Sequence, residues 1–215
     1  MAQASTAYRI RDAVRRQLRD TVLDEARRLT IELGWARVRM GRLAENVGIS
    51  RQTLYTEFDS KDHLGQEVVS READHVLQGV AEQFERHPDD LGSAIAAMVT
   101  HVLREAETNS LIRAVLDSAR GGENSLLPLL TTRSDAIMSA AAGVVGRFVE
   151  AHHPELEQRE LAVTVDAIVR MTVSHMLFPV EPAEETGARV AELAIRNVHG
   201  ALSRAGADAG GPAAR

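Results

Sequence analysis

The sequence predicts an all-α fold of about nine helices, three in an N-terminal domain and six in a C-terminal domain. Three observations predict it. Apolar residues recur at helical spacing along most of the chain of 215 residues. Strong helix formers are plentiful, and β-branched clusters are few, with no strand candidate of any length. Glycine and proline stop signals separate the helical segments.

The composition limits the class of protein further. Hydrophobic residues make up 44% of the chain but aromatic residues only 3%, so the core must be aliphatic. The absence of cysteine excludes disulfides and thiol chemistry. The first seven residues are polar, and no apolar run approaches the ~18 residues that a membrane span needs. We therefore expect a cytoplasmic protein with no membrane association.

The front of the chain predicts a long helix followed by two short ones. The first helix, residues 9–33, has an apolar stripe and ends at Gly34. A second helix ends at Gly48, because glycine adopts the left-handed conformation without a Cβ penalty. Ser50 is a good N-cap for a third helix over residues 51–58. The inward side chains of the two short helices are Met40, Leu43, Ala44, Val47, Leu54 and Phe58.

The remainder of the chain predicts six helices and a tail. Their predicted ranges are 61–85, 91–107, 110–119, 128–152, 157–177 and 184–204. The Gly- and Ala-rich segment 205–215 is expected to be disordered. The resulting domains are 1–65 with a basic N-terminal arm, 66–204, and the tail.

The third helix leaves a polar face to solvent, formed by Arg51, Gln52, Thr53 and Thr56. Arginine and glutamine can make bidentate bonds to guanine and adenine edges, and threonine can contact thymine. A short helix, a tight glycine turn and a polar-faced second helix are typical of a helix-turn-helix. The front domain is therefore predicted to bind DNA.

This stretch resembles the DNA-binding domain of the TetR family of bacterial regulators over roughly residues 15–65. The matching residues, in the family's order and spacing, are Gly34-Trp35, Leu43-Ala44, Val47-Gly48-Ile49-Ser50, Thr53-Leu54-Tyr55, Phe58 and Ser60-Lys61. One departure is Arg39, where the family usually has a capping threonine or serine. The resemblance also implies a homodimer, in which the last two long helices pair with their copies and place two reading helices one DNA turn apart.

The DNA-contacting residues are predicted from the outer face and from the resemblance together. Arg51, Gln52 and Thr53 are expected at base edges, and Tyr55, Lys61 and Arg39 at phosphates. Tyr55 is also expected to pack its ring. The full predicted set is Arg39, Ser50, Arg51, Gln52, Thr53, Tyr55, Thr56 and Lys61.

Charge is divided unevenly along the chain, although the net charge is −6. Residues 1–63 contain 12 Lys and Arg against 9 Asp and Glu, whereas residues 64–215 contain 13 against 22. The basic part thus coincides with the motif. Four arginines of the first helix form either an arm that follows DNA or a solvated face with intrahelical pairs, and both readings stay open. They are Arg9, Arg11, Arg15 and Arg16.

The resemblance implies a ligand cavity among the rear helices, which the composition makes mostly aliphatic. Its apolar candidates are Leu77, Phe84, Met98, Val99, Leu116, Leu130, Met138 and Met171. Its polar candidates are His101, Asp166, Arg170, Ser174 and His175. Asp166 and Arg170 are four residues apart and can simply pair, and His175 can equally belong to the core or a dimer interface. The scarcity of aromatics favours a flexible acyl or alkyl ligand over a flat aromatic or cationic one.

No catalytic motif is present, and no cofactor or metal site is predicted. The sequence therefore predicts a ligand-responsive transcriptional regulator, released from a palindromic operator as a repressor. The alternatives are an apolar-ligand sensor or carrier whose front domain binds a protein, and an enzyme built in the rear cavity, for which no acid–base pair is found.

Overall fold

The computed structural model describes residues 2–120, residue 126 and residues 135–209, and the all-α prediction is confirmed. These residues form nine α-helices and one 3₁₀ turn at Trp35–Arg37, with no strand among them. The helices are α1 (Ala2–Leu33), α2 (Met40–Val47), α3 (Arg51–Phe58), α4 (Lys61–Arg86), α5 (Leu91–Thr108), α6 (Ser110–Arg120), α7 (Asp135–His152), α8 (Gln158–Leu177) and α9 (Ala183–Ala209). In this described part of the chain, no helix is both long and apolar enough to cross a membrane.

Two helix ends differ from the predicted ones. Helix α1 begins at Ala2, well before the predicted residue 9. Helix α9 continues to Ala209, so the predicted disorder is wrong for residues 205–209. Alanine has the highest helix propensity, which lets both ends extend beyond their apolar stripes. Residues 210–215 and the predicted helix start at residue 128 lie outside the described residues.

The chain divides into two compact units. The first holds the described residues of Met1–Glu72 and Ser110–Leu130, and the second those of Ala73–Asn109 and Thr131–Arg215. The predicted boundary lay after residue 65, with everything up to 204 in one rear domain. A division by sequence order could not assign α6 to the front unit, because that assignment depends on packing. The buried apolar side chains of the first unit include Val22, Leu29, Leu43, Leu54, Phe58, Leu64, Leu111 and Leu126.

The second unit is built on one aliphatic core. Its buried members include Ile95, Met98, Val99, Val145, Val149, Leu161, Ile168, Val190 and Val198. Helices α5 and α9 pack closely at Gly187, where an added Cβ would lie 2.6 Å from the Ala96 carbonyl oxygen. Glycine is therefore required there for the helices to pack at this distance.

Candidate nucleic-acid interface

The turn between α2 and α3 is fixed by Gly48. Its φ of 76° and ψ of 30° lie in the left-handed region, as predicted. The Gly48 N–H donates to the Glu45 carbonyl oxygen at 3.2 Å, and the Ile49 N–H donates to that of Ala44 at 3.0 Å. These bonds satisfy carbonyls at the end of α2, which would otherwise have no partner. The turn therefore lets α3 begin after only three intervening residues, 48–50.

Ser50 caps the N-terminus of α3, which confirms that prediction. Its Oγ accepts a hydrogen bond of 3.0 Å from the Thr53 backbone N–H. The Ser50 and Thr53 hydroxyl oxygens are also 2.8 Å apart, so the two hydroxyls bond to each other. The Thr53 hydroxyl is thus engaged within the helix, while its methyl group is not.

The two faces of α3 are arranged as the sequence predicts. Leu54 and Phe58 are completely buried. Arg51, Gln52 and Thr56 are exposed and Tyr55 is 46% exposed, whereas Thr53, also predicted on this face, is half-buried. The helix therefore presents polar side chains on a base held by two apolar anchors.

Arg51 lies back over α2. Its Nη2 is 3.9 Å from the Glu45 carboxylate, and a Cβ built on Gly41 would be 2.7 Å from the same nitrogen. The side chain is 72% exposed, and an ion pair this exposed contributes little. Arg51 is therefore free to leave this position for a stronger partner.

Arg39 occupies the N-cap position of α2 without capping it. Its backbone is extended, with φ −116° and ψ 126°, and no side-chain cap hydrogen bond forms. The cap expected from a threonine or serine is thus missing, while the exposed guanidinium remains available to an anion.

Lys61 makes contacts that the sequence analysis did not anticipate. Its Nζ donates to the Trp35 carbonyl oxygen at 2.8 Å and to the Ala36 carbonyl oxygen at 3.3 Å. Burial lowers the pKa of Lys61, and the nearby positive charge of Arg39 lowers it further. The ammonium predicted to contact a phosphate is therefore already hydrogen-bonded within the protein.

Arg15, one of the four arginines of the predicted basic arm, follows neither of the two readings that the sequence left open. Arg15 Nε donates to the Glu57 carboxylate at 2.8 Å, which ties α1 to α3. This contact joins residues 42 positions apart, so helical spacing could not reveal it. It makes Arg15 part of the framework that holds α3 in place.

Three of the predicted ligand residues line a groove of about 620 Å³ between α7 and α8. They are Met138, Asp166 and Arg170, with apolar walls from residues such as Leu161, Val165 and Val169. Arg170 Nε donates to both Asp166 oxygens, at 2.7 and 2.8 Å, so the expected pair forms. The groove thus combines an aliphatic floor with an ion pair at its rim.

The other predicted ligand residues are not brought together in this groove. Phe84, Met98 and Val99 belong to the buried core, and Phe84 stacks on Phe148 with ring centroids 4.1 Å apart. The imidazole Nε2 of His101 is 3.3 Å from the Val76 carbonyl oxygen. Met171 lines a small pocket between α8 and α9. Half-buried Leu77 and His175 and exposed Ser174 lie on α4 and α8, Leu116 belongs to the first unit, and Leu130 lies outside the described residues.

Two family models match the chain, one over the helix-turn-helix and one over most of the helices that follow it. Residues 22–68 match the description "Bacterial regulatory proteins, tetR family". Residues 90–196 match "Bacterial Tetracyclin repressor, C-terminal domain". The chain belongs to the TetR family. TetR-family proteins are DNA-binding transcriptional regulators without enzymatic activity, so the enzyme alternative is dismissed.

Relatives and solved structures agree with this assignment. The chain is 28% identical over 182 residues to the HTH-type transcriptional regulator AlkX of Mycobacterium tuberculosis, covering 85% of each chain. A TetR-family repressor AlkX from Dietzia, implicated in biodegradation of n-alkanes, has a TM-score of 0.66 at 24% identity, covering 86% of this chain and 96% of that one. RolR in complex with resorcinol has a TM-score of 0.60 at 15% identity, covering 87% and 94%.

Proposed function

We propose that this TetR-family regulator is a homodimeric cytoplasmic repressor that binds a near-palindromic operator and is released by a small apolar ligand. The observation that carries the proposal is the pair of faces on α3. Arg51 and Gln52 are exposed above completely buried Leu54 and Phe58. Such a helix can enter the major groove without losing its anchorage.

The proposed DNA contacts are of two kinds, to base edges and to phosphates. Arg51 and Gln52 suit base edges, and Thr53, whose hydroxyl bonds to Ser50, offers its methyl group to thymine. The half-exposed Tyr55 hydroxyl and the Arg39 guanidinium suit phosphates, with the Lys61 ammonium contributing positive charge. Ser50 and Thr56 flank this surface.

Dimerisation is proposed through α8 and α9. Each of these helices exposes a large aliphatic side chain, Val163 at 53% and Leu193 at 43%. A small apolar pocket lies between the same two helices. Two copies packed on these faces would form a four-helix bundle, and reading helices about 34–36 Å apart would face successive major grooves.

A flexible alkyl or acyl effector is proposed for the α7–α8 groove. Its walls are aliphatic rather than aromatic, and Arg170 and Asp166 at the rim can meet a polar head group. The Dietzia AlkX, implicated in biodegradation of n-alkanes, supports this ligand class. Binding would favour a state of the protein that no longer fits its operator, as a population shift.

The test begins with in vitro selection of duplexes by the wild-type protein from a random pool. Arg51→Ala is then titrated with the selected duplex and with a scrambled one. We expect the variant to lose about 1–3 kcal/mol on the selected duplex and much less on the scrambled one. Arg86→Ala, which removes an exposed arginine from the end of α4, is the control and should bind as wild type.

Three outcomes would contradict the proposal or its parts. Failure of the wild type to enrich any duplex would favour the alternative, a sensor whose front domain binds a protein. Equal losses on both duplexes would place Arg51 at phosphates. Retention of the selected duplex in the presence of decanoate and of dodecane would argue against the ligand class.

A further inference from the structure

We infer that Arg19 is a positioning residue for DNA recognition, which fixes α3 at the orientation from which it reads bases. The inference rests on the proposed role of α3 as the reading helix. Arg19 lies on α1, outside the helix-turn-helix, and the structure joins it to both α3 and α4 through a single guanidinium.

The first part of the argument concerns the C-terminus of α3. A helix of eight residues is too short to be stable alone, and its last carbonyls have no partners within the helix. Arg19 Nη1 donates a hydrogen bond of 2.6 Å to the Glu57 carbonyl oxygen. Ser50 caps the other end, so α3 is held at both ends by side chains.

The same guanidinium makes further contacts. Its carbon lies 4.5 Å from the centre of the Phe58 ring, the anchor of α3. Its Nη2 is 3.0 Å from the carboxylate of Glu67 on α4, and its Nη1 is 3.5 Å from that of Glu57. One planar fork thus links three helices, a geometry that the point charge of a lysine cannot reproduce.

The low exposure of Arg19 and Glu57 indicates that they hold the helices together and do not contact DNA themselves. The Arg19 side chain is 24% exposed and that of Glu57 only 12%. Arg15 donates to the same Glu57 carboxylate from one turn earlier on α1. The Arg19 contacts have less solvent access than that of Arg15, whose side chain is 60% exposed, so they should be stronger than those of exposed pairs. Loss of Arg19 should therefore change the tilt of α3 without removing a phosphate contact.

The experiment compares Arg19→Gln and Arg19→Lys with Arg16→Gln, all in the full-length protein. Arg16 is exposed on the same helix and supplies the matched loss of charge. Each protein is titrated with the selected duplex and the scrambled duplex at several NaCl concentrations, and its thermal unfolding is recorded. Glu67→Gln, which removes the negative charge that faces Arg19 from α4 and also lies 3.4 Å from His63, is included in case Arg19→Gln fails to fold.

We expect Arg19→Gln to bind the selected duplex roughly 10- to 100-fold more weakly, with little change on the scrambled duplex. The slope of log affinity against log salt should stay at the wild-type value, because no counterion release is lost. Arg19→Lys should not restore discrimination, and Glu67→Gln should show a smaller loss of the same kind. Arg16→Gln should leave the ratio between the two duplexes unchanged.

Several results would overturn the inference. One is a slope that falls by about 0.9 with equal losses on both duplexes, since that would make Arg19 a phosphate ligand. Another is an unchanged ratio in a folded Arg19→Gln or Glu67→Gln protein. If the wild type selects no duplex, the proposed function fails first, which separates that failure from one of Arg19 alone.

Discussion

The ammonium of Lys61 lies 5.0 Å from the centre of the Trp35 ring while it donates a hydrogen bond to the Trp35 carbonyl oxygen. These contacts connect the first turn of α4 to the 3₁₀ turn that follows α1. A cation over an indole ring gains electrostatic attraction in addition to its hydrogen bonds. Lys61 is the single lysine of the chain, and its role is at least partly internal to the first unit.

Replacing this lysine should therefore weaken the fold even without DNA. We expect Lys61→Met to lower the free energy of unfolding by about 1 kcal/mol, after allowance for solvent screening, because the stem remains over Trp35 but the charged donor is lost. Lys61→Arg should lose less, since it keeps a charged donor. Urea unfolding followed by the fluorescence of Trp35, the only tryptophan, measures both. Unchanged stability of the methionine variant would contradict the role.

The Ser50 cap allows stability to be separated from DNA binding. Ser50→Ala removes the acceptor for the Thr53 N–H and should cost about 1 kcal/mol. Ser50→Asp keeps an acceptor at the cap, and its charge suits the helix N-terminus, so stability should be retained. The same charge faces DNA phosphates, so binding to selected and scrambled duplexes should fall sharply. A Ser50→Asp protein that binds DNA as wild type would place this residue away from the nucleic acid.

Two glycines of α9, Gly187 and Gly200, should respond in opposite directions to substitution by alanine. At Gly187 an added Cβ meets the α5 backbone at the Ala96 carbonyl, and overpacking of this kind typically costs about 1–3 kcal/mol. At Gly200 the nearest atom is the flexible end of Arg204, at 3.5 Å, so the gain in helix propensity should dominate. Thermal unfolding of the two variants tests the pair. Equal effects would mean that the α5–α9 approach is not tight.

The exposed aliphatic side chains of α8 and α9 should control assembly. Leu193→Glu places a charge in the proposed interface and should convert the dimer to a monomer, as measured by sedimentation equilibrium. The monomer should also lose affinity for a palindromic duplex, because it can occupy only one half-site. Ser203→Glu, also exposed on α9 but nearer its C-terminus, provides the control. A dimeric Leu193→Glu protein would move the interface elsewhere.

The reading motif could be predicted almost residue by residue, whereas the surrounding contacts could not. Gly48, Ser50, Leu54 and Phe58 are determined by local geometry, such as a positive φ, a cap and a helical period. Arg19 and Glu57 are 38 residues apart and meet only through tertiary packing. No periodicity marks such a pair in advance.

The proposed ligand groove could be predicted even less well from the sequence. Apolar side chains on amphipathic helices have the same pattern whether they fill a core or line a groove. Phe84 and Met98 proved to be core, and Met138 lines the α7–α8 groove. Only the packing of the helices distinguishes these cases, so the apolar pattern alone cannot select the residues of the proposed groove.

Gly41 leaves room for the one cationic side chain of the proposed reading helix, Arg51, to lie against α2. Since glycine has no side chain, the guanidinium of Arg51 can lie flat on α2 beside Glu45. A regulator that diffuses along unrelated DNA could keep this arginine folded away and extend it only where guanine offers two acceptors. Discrimination between sites would then include the difference between two rotamers of one side chain, in addition to the contacts made at the operator.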